Sequence, residues 1–156
     1  MKSITIPILI IVGLMAISGI AVSKIVINEV ELNPGCDHLN CFQFFELYNT
    51  GTGDKFFDLD DWTISSTNSG VTIELTDAAI FPGHIYSMGV DEKFEHNDES
   101  LILRNSEGIE VDRTPILSDN SDNNYTWSRI PDGGADWRFV KGTWYFKNTP
   151  QYTQQK

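Results

Sequence analysis

The residues of this chain that could do chemistry are three histidines, two cysteines and a surplus of carboxylates. His38, His84 and His96 stand apart, and none shares a motif with a nucleophile. There is no G-x-S-x-G turn to expose a serine. H-E-x-x-H, which sets two imidazoles on one helix face, is absent, and so is a glycine-rich phosphate loop. A glycosidase needs two carboxyl groups facing each other across a cleft. With 22 Asp and Glu, chance pairs are certain, so their number supports no such pair. The chain is read as not an enzyme, with no catalytic residue and no cofactor.

Glu46, between Phe45 and Leu47, and Glu29, in a β-branched run, have the most informative neighbours. Either could be a ligand or a general acid. The plainer role is a carboxylate that caps loop N–H groups or faces solvent, and it is preferred. Asn28 and Asn49 flank bends, where their amides can bond nearby backbone. Cys36 and Cys41 enclose Asp37-His38-Leu39-Asn40. In an exported domain an even cysteine count is read as a disulfide. Closing so short a loop constrains the unfolded chain by about 2 kcal/mol. The alternative is a metal held by Cys36, His38 and Cys41. Zinc wants four ligands, commonly with a second Cys or His pair, and the sequence has none. The reading is a disulfide and no metal.

Three acidic stretches raise the question of calcium. Asp58, Asp60 and Asp61 share one turn, and Asp91, Glu92, Glu95, Asp98 and Glu99 crowd nine residues. Asp119 to Asn123 places oxygens at alternate positions, like the opening of an EF-hand loop. Asn124 stands where that loop needs glycine, and Ile130 where its bidentate glutamate belongs. Solvated acidic loops are the preferred reading. Trp127, Trp137, Trp144 and Tyr145 concentrate in the last third. Stacked on a sandwich face they would hold sugar rings; otherwise at least Trp127 and Trp144 are core or edge-packing residues. Inward packing is preferred. The outward arrangement supplies the alternative function, a calcium-supported glycan-binding module.

Charge narrows the partners. From Lys24 onward there are 10 basic and 22 acidic residues, a net charge of −12. Binding nucleic acid requires cations that displace phosphate counterions, and docking on anionic lipid requires the same. Neither partner is expected. Aromatic content of 12% and apolar content of 40% argue against disorder.

The N-terminus sets the compartment. Met1-Lys2 is followed by an uncharged, mostly apolar run from Ile4 to Val22. A basic start, an apolar middle and the small residues Ala21 and Ser23 have the shape of a secretory signal. An uncleaved anchor is the alternative, because 19 helical residues span roughly 28 Å. Either way Lys2 stays inside and the rest goes outside. The expected location is extracytoplasmic, secreted or at the cell surface. Membrane contact is expected only through residues 4–22, if they are retained.

These residues must be positioned by short strands. Runs rich in β-branched and aromatic residues alternate with Gly, Pro, Asn and Asp turns. Strands are predicted at Ile25–Val30, Gln43–Asn49, Lys55–Leu59, Trp62–Ser66, Val71–Leu75, His84–Val90, Ser100–Arg104, Ile109–Arg113 and Tyr125–Ile130. Trp144–Phe146 is a last apolar run. Gly108 closes a hairpin with positive φ. Leu47, Leu59, Trp62, Ile73, Leu101, Leu103, Val111 and Trp127 are the predicted core. The division is 1–23 signal or anchor, 24–150 one β-domain, 151–156 polar tail.

The motifs resemble the lamin tail domain family. Ile27-Asn28-Glu29-Val30 is similar to its opening, and Phe45-Glu46-Leu47-Tyr48-Asn49 to its ELYN strand. Phe57 to Ile64 and Phe81-Pro82-Gly83-His84-Ile85-Tyr86 follow in family order. Glu99 to Asn105 comes next, with Gly108 and Val111-Asp112 after it. Ser128-Arg129-Ile130-Pro131-Asp132-Gly133 and Asn148-Thr149-Pro150 complete the set. Gln151 replaces the family's terminal Gly, Asp61 stands where Gly often precedes Trp62, and the Cys36–Cys41 loop is not part of the pattern. The resemblance implies an all-β, immunoglobulin-like β-sandwich of about nine strands. It implies no catalytic residues. It suggests a non-catalytic interaction or tethering module of the cell surface or envelope, whose partner is a protein or glycan there.

Overall fold

A computed structural model describes residues 25–35, 42–91 and 94–148. The readings for residues 1–23, for the Cys36–Cys41 bond with His38, for Glu92 and for the 151–156 tail lie outside the described residues. The described chain is all-β, with eleven strands and no helix. They are β1 (Ile25–Glu31), β2 (Gln43–Asn49), β3 (Phe57–Asp58), β4 (Thr63–Ser66), β5 (Thr72–Glu74), β6 (Ala79–Ile80), β7 (Ile85–Val90), β8 (Leu101–Arg104), β9 (Glu110–Arg113), β10 (Tyr125–Arg129) and β11 (Trp137–Lys141).

A five-stranded antiparallel sheet runs β11-β10-β1-β2-β7, and a four-stranded one runs β5-β4-β8-β9. β3 and β6 form a separate short pair. Alternate side chains of the two large sheets meet in one core, the arrangement of a β-sandwich. Ile25, Ile27, Val30, Phe45 and Leu47 from the first sheet pack with Ile64, Leu101 and Leu103 from the second. Of the predicted core, Leu47, Leu59, Trp62, Leu101 and Leu103 are buried; Ile73, Val111 and Trp127 are half-buried at its margin. Gly108 has φ of 77°, as its hairpin requires.

Eleven strands replace the expected nine or so for two reasons. Ala79–Ile80 is too short to carry an alternating pattern. Trp137–Lys141 alternates aromatic with charged residues only as far as Phe139, where Val140 and Lys141 break the pattern. The Trp144–Phe146 run is not a strand. Tyr145 turns there with φ of 64°.

One irregularity in β1 decides which face its glutamates occupy. Ile27 pairs with Leu47, but Glu29 pairs with Glu46, so Asn28 is an extra residue in the ladder. Strict alternation from Ile25 and Ile27 would send Glu29 into the core. The bulge shifts the phase by one, so that Val30 faces inward and Glu29 and Glu31 face outward.

Arg129 and Asp112, both within the family-like motifs, tie the two sheets together. The Arg129 guanidinium donates to both Asp112 carboxylate oxygens at 3.1 Å and to the Ile27 carbonyl at 2.8 Å. Asp112 also accepts the Ile27 N–H at 2.7 Å.

Candidate functional site

The outer face of the five-stranded sheet gathers the acidic side chains that the sequence singled out. Glu29 and Glu46 face one another across β1 and β2, and both are 0% exposed. The segment 143–148 crosses over them as a strap. Glu29 accepts Thr126 Oγ1 at 2.8 Å, the Thr143 N–H at 2.9 Å and Thr143 Oγ1 at 2.7 Å. Glu46 accepts Ser87 Oγ at 2.6 Å and the Tyr145 N–H at 2.7 Å. Asp132 accepts the Asn148 N–H and Asn28 Nδ2. The Asn148 side chain donates to the Asn28 carbonyl. The glutamates therefore cap loop N–H groups, the plainer of the two roles. A general acid must come within hydrogen-bond reach of its substrate, and the strap shuts both carboxyls off.

Burial raises both carboxyls. It pushes Glu46 up to about 7, with the nearby Glu29 charge adding to the effect. Burial also raises Glu29, against the hydrogen bonds from Thr143 and Thr126. Two carboxyls in register on adjacent strands resist joint ionisation.

Next to the strap lies a cavity of about 190 Å³. Glu31, Thr126 and Lys141 give it polar walls; Phe42, Phe44 and Trp144 give it an apolar one. Burial pushes the Glu31 carboxyl up to about 8, against a hydrogen bond from the Asn33 N–H at 3.0 Å. Trp144 is clamped by Phe42 and Phe44, with ring centroids 4.3 and 4.6 Å away. Beneath this clamp lies Gly89, where a Cβ would come within 2.8 Å of the Phe42 ring and 3.3 Å of Trp144. Gly89→Ala is expected to cost about 1–3 kcal/mol by overpacking and to red-shift the Trp144 emission. Unchanged melting and emission would show that the clamp yields freely.

The remaining candidates separate by burial. Glu99, read within a solvated acidic loop, is 0% exposed. Burial alone would raise it, but Ser66 Oγ and the N–H groups of Thr67, Asn68, Glu95 and Ser100 donate to it, and its carboxyl is held below the usual range. Asp58 accepts the Asp60 N–H and so shapes its own turn, and Asp60 accepts the Ala78 N–H and so ties that turn to the segment before β6. Asp119, also buried, accepts the Ser121 N–H. Among the described residues no three His, Cys, Asp or Glu stand close enough to share a metal ion. Trp127 and Trp137 pack half-buried against the core. Trp127 Nε1 donates to the Ser118 carbonyl, and the Arg129 guanidinium lies 4.9 Å from the Trp137 ring centre. Trp144 lines the cavity, and Tyr145 is 60% exposed.

Sequence reasoning did not find Glu31, Lys141 or the Phe42–Phe44 wall. Glu31 was hidden by the Asn28 bulge, which moves it to the outer face; Lys141 lies on β11, a strand that was not predicted, and Phe44 faces away from the core by plain alternation with Phe45. It also passed over a surface patch in which Phe56 and Phe81 are 59% and 50% exposed, their rings 6.0 Å apart and His84 beside them. Set against protein-family models, curated proteins and solved structures, the chain matches none of them.

Proposed function

We propose that this chain is a non-catalytic, extracytoplasmic interaction module of lamin-tail-like type that docks on a component of the cell envelope. The observation that carries this reading is the division of labour among its side chains. The motif carboxylates Glu29, Glu46 and Glu99 are buried acceptors of the fold's own donors, while the rings of Phe56 and Phe81 stand together in solvent. Contiguous exposed apolar surface marks interaction sites on soluble domains. The apolar run from Ile4 to Val22 supports placement outside the membrane.

The test is co-sedimentation of the full-length chain with isolated cell envelopes. Binding is expected to saturate, and Phe56→Ser with Phe81→Ser is expected to weaken it at least about tenfold, as loss of aromatic anchors does. The melting temperature should stay within about two degrees, because both rings are exposed. Recovery of the native chain from the cytosol, or no saturable envelope binding, would overturn the reading.

A further inference from the structure

We propose that the cavity between Glu31, Lys141 and Trp144 binds one sugar ring, the terminal residue of an envelope glycan. This rests on the module reading above and names the chemistry of its partner. A pyranose is amphipathic: one face presents C–H groups and the edge presents hydroxyls that both donate and accept. The cavity is amphipathic in the same sense. Phe42, Phe44 and Trp144 offer aromatic surface, and Glu31 and Lys141 offer polar atoms.

The polar atoms suit hydroxyls better than a cation. With its carboxyl pushed up to about 8 by burial, Glu31 keeps its proton at neutral pH; Oε1 already accepts the Asn33 N–H, so the group it offers a ligand is its O–H donor. Lys141 is exposed at the mouth and only donates. A cationic ligand would meet Lys141 and no facing carboxylate, although the chain as a whole has a net charge of −11.

Size and rigidity point the same way. About 190 Å³ is below the range of roughly 300–1,000 Å³ for drug-sized ligands, so the site takes one ring rather than a buried chain. Its aromatic wall is fixed before binding. Phe42 and Phe44 clamp Trp144, and the next residue, Tyr145, is held at φ of 64° with its N–H on Glu46. A bulky residue keeps that conformation only where its surroundings impose it. A wall already ordered loses little freedom on binding.

The experiment uses the full-length chain and the methyl pyranosides of glucose, galactose, mannose and N-acetylglucosamine. Saturation-transfer NMR reads contact, and tryptophan fluorescence reads affinity. At least one glycoside is expected to saturate, with a Kd on the order of 1 mM. Lys141→Ala and Glu31→Leu are expected to weaken it at least about tenfold, while Glu107→Ala, exposed on the β8–β9 hairpin of the other sheet, stays within about threefold. If Glu31→Leu fails to fold, the exposed Lys141→Ala carries the test. No saturable glycoside, or binding indifferent to Lys141→Ala, overturns the site. Envelope co-sedimentation that persists without any sugar binding overturns this inference alone; loss of both overturns the module reading with it.

Discussion

Glu29→Ala is expected to lower the melting temperature by about 10 °C or more and to release the 143–148 strap. Glu29 accepts three donors from Thr126 and Thr143, and none of its surface is exposed. Each buried donor left unpaired costs about 1–3 kcal/mol, and water entering under a loosened strap recovers part of that. A net loss of about 3 kcal/mol corresponds to roughly 10 °C for a domain of this size. Glu29→Gln keeps one acceptor oxygen and is expected to lose about half as much. Calorimetry gives the change in melting temperature, and Trp144 emission reports the strap directly, because Trp144 sits within it. A change of two degrees or less would show that the strap is held by its aromatic contacts instead.

The second large effect is a stability that falls as pH rises. Burial sets Glu46 at about 7 and Glu31 at about 8 in the folded chain, against an ordinary value of 4.5. Between pH 4.5 and 8 the folded state therefore holds more protons than the unfolded one. The slope of unfolding free energy with pH is then negative. Their contribution is fully present below about 4.5 and is lost as pH passes through 7 and then 8. A tenfold difference in proton affinity between the folded and unfolded chain corresponds to about 1.4 kcal/mol, so the two groups together are worth several kcal/mol. Glu99 acts oppositely, since its carboxyl is held low; its contribution is present above 4.5 and lost in acid. The expected profile has its maximum in the mildly acidic range and a melting temperature about 10 °C lower at pH 8.5 than at pH 5.5. Glu31→Gln with Glu46→Gln should flatten the alkaline limb. A profile that rises from pH 5.5 to 8.5 would refute the assignment.

The fold class was legible in the chain because its information is local. Alternating β-branched residues and turn residues mark strands wherever they occur, and β1, β2, β4, β8 and β10 fall within a residue or two of their predicted bounds. The cap role of Glu29 and Glu46 was foreseeable as a type of role, since a carboxylate beside aromatic strand residues must be paired or solvated. Its partners were not. Thr143 lies 114 residues from Glu29, and Tyr145 lies 99 from Glu46. Nothing in a local pattern joins such positions. Glu99 was misread for a related reason: it follows Glu95 and Asp98 in an acidic stretch, and only the fold turns it inward onto Ser66 and Thr67. The place of Glu31 in the cavity was illegible because it depends on one inserted residue in β1. An alternation read straight through Asn28 places Glu31 on the wrong face.

The distance between Glu29 and Thr143 also has a meaning in time. β1 is the first described strand to be synthesised and lies at the centre of its sheet, yet β10 beside it and the strap over it come last. At synthesis rates of roughly 5–20 residues per second, those 114 residues separate the two partners by on the order of ten seconds. Through that interval β1 has only β2 and its neighbours to pair with, and its outward glutamates have no cap. The finished sheet therefore cannot precede the last of its strands. A nascent chain of this strand order keeps this sheet open until β10, β11 and the strap have emerged.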